Sequence, residues 1–321
     1  IGAGGGESQP LKVTASSSDT GLVPDPTVTY TSANATGSLA FTPVSDQIGT
    51  ATITVTVEDG GLDGDLNTAA DNATFSRTFD VTVNAVNDTT TLDNIADVII
   101  DEDAAEQTVN LAGISAGGGE SQPLRVTASS SLAGVVPDPT VTYTSANTTG
   151  SLKFTPVSDQ SGTATITVTV EDGGLDGDLN TAGDNATFSR TFDVTVNAVN
   201  DVPLLDTLSD MTVDEDAAEQ TVNLAGIGAG GGESQPLQVT ASSSDTGLIP
   251  DPTVTYTSAN STGSIAFTPV SDQSGTATIT VTVEDGGLDN DLNTTGDNAT
   301  FSRTFDVTVN AVNDTTTLDN I

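Results

Sequence analysis

Residues Thr163 to Val170 read TATITVTV, a strict alternation that puts Ala164, Ile166, Val168 and Val170 on one side and threonine on the other. Successive side chains of an extended chain point to opposite faces, so this is a half-buried β-strand. The stretch FSRTFDVTV, Phe188 to Val196, alternates the same way, with Phe188, Phe192, Val194 and Val196 inward and Arg190 in phase near its beginning. The two predict a hairpin. Upstream, Ala96 to Ile100, Gln107 to Leu111, Leu124 to Ala128, Thr140 to Thr144 and Ser151 to Thr155 read as short strands between clusters of Gly, Pro, Asn and Asp. No segment carries a helical period. Seven short strands without cysteine or tryptophan predict an all-β Greek-key sandwich whose large volumes come from Tyr143, Phe154, Phe188 and Phe192.

The same phrases recur. Ile1, Ile114 and Ile227 open one phrase and Asp88, Asp201 and Asp314 close it, a period of 113 residues, about the length of one sandwich domain. Between residues 114–201 and 227–314, 11 of 88 positions differ, mostly like for like, as Leu152 for Ile265. The 321 residues therefore divide into a unit over 1–88, complete units over 89–201 and 202–314, and the start of a further unit at 315–321. The first unit lacks its first strand, the counterpart of Asp93 to Gly113. An open sandwich edge invites pairing, so this unit is expected either to continue a longer chain or to be completed by a strand from a neighbouring one.

With 45 acidic and 6 basic residues the net charge is −39, which excludes nucleic acid and anionic membrane surfaces as partners, since both demand basic patches. Cysteine and histidine are absent, so disulfides, thiol chemistry and the commonest general base are excluded. No apolar run approaches the roughly 20 residues of a membrane span, so direct membrane insertion is not expected. The clean apolar/threonine alternation sets this chain apart from disordered acidic tails, and the outward threonines read as β-branched residues that stiffen strands. Near-identical modules, each with the same acids, do not suggest a catalytic cleft, and the chain is not expected to be an enzyme.

The acids collect at strand ends. In the middle unit they are Asp101, Glu102 and Asp103, then Glu120 in a Gly-rich turn, Asp159 before TATITVTV, Glu171 and Asp172 after it, and Asn197, Asn200 and Asp201 at the exit. With this order the sequence resembles the cadherin-like repeats of long, bacterial-type surface proteins, over its whole length. Asp101-Glu102-Asp103 stands where that family has its PEN acid, Asp159 where it has LDRE, and Glu171-Asp172-Gly173 where it has AxDxG. Asn197-Ala-Val-Asn200-Asp201-Val-Pro203 resembles its DxNDNxP linker, although the linker Asn84 to Thr89 lacks the proline. The resemblance implies tandem immunoglobulin/cadherin-like β-sandwich repeats with Ca²⁺ between consecutive units. It places Glu102 or Asp103, Asp159, Asn200, Asp201, Glu233 and Asp285 at one junction, and Asp46, Asn87, Asp88, Glu120 and Asp172 at the other. A single glutamate, Glu120, stands where the family has DxD.

The chemistry of these residues agrees independently. Ca²⁺ takes six to eight oxygen ligands in loose geometry, and the clusters offer oxygen alone. A further candidate is the insertion from Gly173 to Asn185, where Asp176, Asp178 and Asn180 alternate as at the start of a calcium-binding loop, without the glutamate that closes an EF-hand. Three functional readings follow: an extracellular or cell-surface stalk stiffened by Ca²⁺, partnered by neighbouring repeats of its own chain; a self-assembling filament built with other copies; and a glycan- or cell-binding adhesin repeat.

Overall fold

The computed structural model of the chain describes residues 1–68 and 70–316, and every regular element among them is a β-strand. Residues 317–321 of the further unit expected from the sequence lie outside the described residues. Unit one contains β1 (Leu11–Ser17), β2 (Thr27–Thr29), β3 (Ser38–Ala40), β4 (Gly49–Asp59) and β5 (Thr74–Val83). Unit two contains β6 (Val98–Asp101), β7 (Gln107–Leu111), β8 (Leu124–Ser130), β9 (Thr140–Thr142), β10 (Gly150–Phe154), β11 (Gly162–Asp172) and β12 (Thr187–Asn197). Unit three repeats the set as β13 (Met211–Asp214), β14 (Gln220–Ala225), β15 (Leu237–Ser243), β16 (Thr253–Thr255), β17 (Thr262–Phe267), β18 (Gly275–Asp285) and β19 (Thr300–Asn310).

In unit two the strands form one sheet of order β6-β12-β11-β8 and another of order β7-β10-β9; unit three matches it with β13-β19-β18-β15 and β14-β17-β16. This is the Greek-key sandwich of the immunoglobulin and cadherin folds. The hairpin of β11 and β12 sets Ala164 opposite Val194 and Ile166 opposite Phe192, and all four are buried in one core with Val168, Val170, Leu111, Leu152 and Phe154. Period-two alternation fixes that register, because a one-residue slip would turn the whole apolar row to water.

Arg190 shows why a cation sits in phase with the core. Its Nε donates to the Leu92 carbonyl at 3.2 Å while its guanidinium lies 4.8 Å from the Phe188 ring centroid. It thereby ties the segment that enters the unit to strand β12, and Arg303 does the same for Leu205 in unit three.

Two details differ from the sequence reading. The edges of β6, β8, β9, β10, β11 and β12 shift by one or two residues, as fraying strand ends do. The segment from Asp93 to Gly113 carries two strands, β6 and β7, so unit one holds counterparts of five strands in sheets β1-β4-β5 and β2-β3. Its core is correspondingly open: Phe79 is 41% exposed where Phe192 is 2% exposed.

Register fixes where the polar ends fall. Gly162 pairs with Val196, and Asn197 pairs with Asp101 on the parallel strand β6, so Asp101 to Asp103, Asp159 and the exit linker share one pole. Leu124 pairs with Asp172 at the opposite pole. A junction therefore brings the exit pole of one unit against the entry pole of the next.

Truncating Phe192 to Ala is expected to destabilise its unit by about 3–5 kcal/mol, whereas the same change at Phe79 should cost less, because that residue is already 41% exposed. Urea unfolding of the two variants measures the difference; equal losses would mean that Phe79 is covered in solution.

Candidate metal centre at the unit junctions

The junction between units two and three is built from three turns and a linker. On the exit side, the turn closed by the Ala104 N–H on the Asp101 carbonyl at 3.0 Å presents Glu102 and Asp103. Asp159 sits in the turn before β11 with φ of 58°, a left-handed conformation that aspartate tolerates better than most side chains. On the entry side, the Gly230–Glu233 turn, closed at 2.9 Å, presents Glu233, and Asp285 ends β18. Asn200 and Asp201 run between the two poles.

Carboxylate oxygens of Asp103, Asp159 and Asp201 lie within 4.8 Å of one another, the single grouping of three acids at that spacing among the described residues. Mutual repulsion at this distance is on the order of 1 kcal/mol per pair where water screens it, and more where it does not. Burial pushes the Asp201 carboxyl above its ordinary value, and the charges of Asp159 and Asp103 push it further. Glu233 is also raised, first by burial and then by the charges of Asp201, Asp285 and Glu102, against the lowering effect of the Asp201 N–H it accepts.

Asp285 is the most enclosed acid of the set, at 0% exposure. Its Oδ1 accepts three hydrogen bonds, from the N–H of Gly287 at 3.0 Å, the N–H of Ala299 at 2.9 Å and Asn200 Nδ2 at 3.0 Å. Its Oδ2 has no partner, nor has the buried Oδ2 of Asp201 or the Oε1 of Gln235. Orphaned buried oxygens of this kind call for a cation or water that completes them. Glu102, 5% exposed, accepts the Val199 N–H at 2.9 Å.

Of the residues expected at this junction, Asp103, Asp159 and Asp201 come together, and Asn200 and Glu233 are hydrogen-bonded to Asp285 and Asp201 beside them. At the first junction, Asn87 Nδ2 donates to Asp172 Oδ1 at 3.1 Å, the Asp88 N–H donates to Glu120 at 3.2 Å, and Asp46, Asp88 and Glu120 line one open depression. Asp172, like Asp285, is 0% exposed with an orphaned Oδ2. In the inserted loop, Asp176 accepts the Asp178 N–H and the Thr181 hydroxyl, and Asp178 accepts both nitrogens of Asn180. Those bonds lower the Asp176 carboxyl below its ordinary value. The loop is tied by its own turns, and its acids do not join a cluster of three among the described residues.

Two contributors had no signal as ligands in the sequence. Gln235 Nε2 donates to Asn200 Oδ1 at 2.7 Å, as Gln122 does to Asn87 at 2.8 Å. The glycines of GGGESQ make room for the linker: a side chain on Gly231 would collide with Asp201 Oδ2, and one on Gly118 with Asp88 Oδ2. The repeated phrase itself was the available clue, since glycine and glutamine flank every Glu120-type acid.

No known family profile matches the chain, and no curated protein does. Among solved structures, human CDH23 EC21-23 aligns at 13% identity over 92% of this chain and 88% of its own, with a TM-score of 0.43. Protocadherin Gamma B2 extracellular cadherin domains 3-6 align at 14% identity over 94% and 69%, TM-score 0.35. The human Desmocollin-1 ectodomain aligns at 11% identity over 96%, TM-score 0.38, and the chain spans 55% of its length. These are likenesses of fold, and the assignment here rests on strand order and register.

A raised carboxyl stabilises the folded state below its unfolded value and loses that contribution as pH rises through the folded one. Without metal, acidifying from neutrality toward the upper carboxylate range is therefore expected to raise the melting temperature through Asp201 and Glu233. Melts in chelator across that range check this, and an Asp159→Asn variant should show a smaller rise. A melting temperature that falls steadily over the same window would contradict it.

Proposed function

We propose that the chain is a structural, adhesion-type extracellular module whose unit junctions are stiffened by Ca²⁺. The observation that carries this reading is the convergence of Asp103, Asp159 and Asp201 from two turns and a linker, beside the orphaned oxygens of Asp201 and Asp285. The donor set fits the ion: it is all oxygen, mixes carboxylate with amide, and offers more protein ligands than Mg²⁺, which keeps its waters, would use. Glu102, Asp103, Asp159 and Asp201 would hold the ion on the exit side, with Glu233, the free Asp285 Oδ2 and Gln235 Oε1 toward the entry side. When bound, the ion supplies positive charge that offsets the repulsion among these acids and joins the two poles.

The residues do the rest of the work. Asp159 is held in its turn by the Val157 N–H bond to Val135 at 2.8 Å, so its carboxylate stands at the pole before any partner arrives. Glu102 orients the linker through Val199. A net charge of −39 on a repeating chain favours extension and discourages lateral contact. Sites of extracellular modules typically bind Ca²⁺ at about 10⁻⁴–10⁻³ M, a concentration met outside cells, which supports a surface or secreted setting. Among the described residues no helix is long and apolar enough to cross a membrane. A stalk that projects or links other domains uses these properties directly.

Isothermal titration of Ca²⁺ into the metal-free chain tests this reading. Binding is expected at the second junction, and Asp103→Asn with Asp159→Asn should weaken it at least about tenfold by removing two of the ion's charged ligands. Unchanged binding in the double variant would remove these acids from the site.

A further inference from the structure

We propose that each linker belongs mechanically to the unit that follows it, fastened by a metal-independent latch of Asn200 with Gln235, Asp285 and Asp297, and that junctions bend one residue earlier, at Val199. The inference rests on the junctional cation only for what closes the exit side.

The Asn200 side chain is spent entirely on unit three. Its Nδ2 donates to Asp285 Oδ1 at 3.0 Å and to the Asp297 carbonyl at 2.8 Å, and its Oδ1 accepts Gln235 Nε2 at 2.7 Å. Every partner is a protein atom, and Asp285 and Gln235 are buried at 0% and 7% exposure, so water competes poorly for them. The following residues continue the attachment, with the Asp201 N–H on Glu233 at 3.3 Å and the Leu204 N–H on the Gly228 carbonyl at 2.8 Å. Toward unit two, the backbone linkage is the Val199 N–H on Glu102, and the remaining neighbours are the like-charged Asp103 and Asp159.

The same latch recurs in the first linker: Asn87 reaches Asp172 at 3.1 Å and the Asp184 carbonyl at 2.8 Å, and accepts Gln122 at 2.8 Å. The exit-side bond recurs separately, as the Val312 N–H on Glu215 at 2.8 Å. The three latch bonds of Asn200 involve none of Glu102, Asp103 or Asp159, the acids that would hold the cation on the exit side. Asn200 is thus a positioning residue: it fixes the backbone from which Asp201 projects toward Asp103 and Asp159.

Residue-resolved amide hydrogen exchange on the full chain, in millimolar Ca²⁺ and in excess chelator, tests this. In chelator the Val199 amide is expected to lose at least tenfold of its protection, while Asp201 and Leu204 stay within about threefold of their calcium values. Asn200→Asp, isosteric but without the two donors and with a second carboxylate beside Asp285, should strip Asp201 protection at least tenfold in either condition, more than Asn200→Ala does. Gln235→Leu should show the same direction more weakly, and protected amides in β18 verify that each variant is folded. Joint loss at Val199 and Asp201 on chelation, or Asn200→Asp behaving as wild type, would overturn the latch. If chelation changes neither amide and Asn200→Asp still exposes Asp201, the latch stands and the cation reading fails.

Discussion

The fully buried carboxylate that ends the central strand of each complete unit, Asp172 or Asp285, is the contact on which the rest of the arrangement depends. One oxygen collects two backbone N–H groups of its own unit and the amide of the preceding linker. The other remains open. Charge buried this deeply is tolerated only with donors or a counter-ion close by, so the entry pole carries a standing demand for a linker amide and for positive charge. The linker and the acids around it answer that demand.

From this the layout of the chain follows. Strand register sends every turn acid to a pole, and stacking poles end to end concentrates acids at the junctions while the sheet faces stay threonine-rich. Hydrogen bonds fix the linker to the downstream unit, and like charge pushes it from the upstream one. Under the proposed latch, a junction of this kind would be asymmetric, with one side docked by protein hydrogen bonds and the other dependent on the ionic surroundings. Repeated along an array, such junctions would let stiffness respond to cation concentration with the sandwiches themselves unaltered, since repeat arrays add their properties unit by unit.

The strands were legible because burial on one face imposes a period of two, as Ala164 to Val170 show, and Arg190 could be placed inward by phase alone. The acids could be assigned to poles from their positions at strand ends, and the resemblance of linker and turn motifs assigned them to junctions. Gln122 and Gln235 escaped because glutamine carries no charge signature, and the glycines before them read as an ordinary turn until Asp88 and Asp201 were seen filling the space above them. Asn87 and Asn200, expected as metal ligands, hydrogen-bond protein partners through both side-chain atoms, contacts that no sequence pattern announced. The span without a counterpart in unit one, Asp93 to Gly113, was counted as one strand, although Ala96 to Ile100 and Gln107 to Leu111 within it each read as a strand and each is one.

The most direct measurement is small-angle X-ray scattering of the whole chain in millimolar Ca²⁺ and in excess chelator at constant ionic strength. Stiffened junctions predict a longer maximum dimension and a narrower distribution of shapes with the cation, reversed by chelator. Superimposable profiles in the two conditions would contradict the account and leave the polar acids as surface charge.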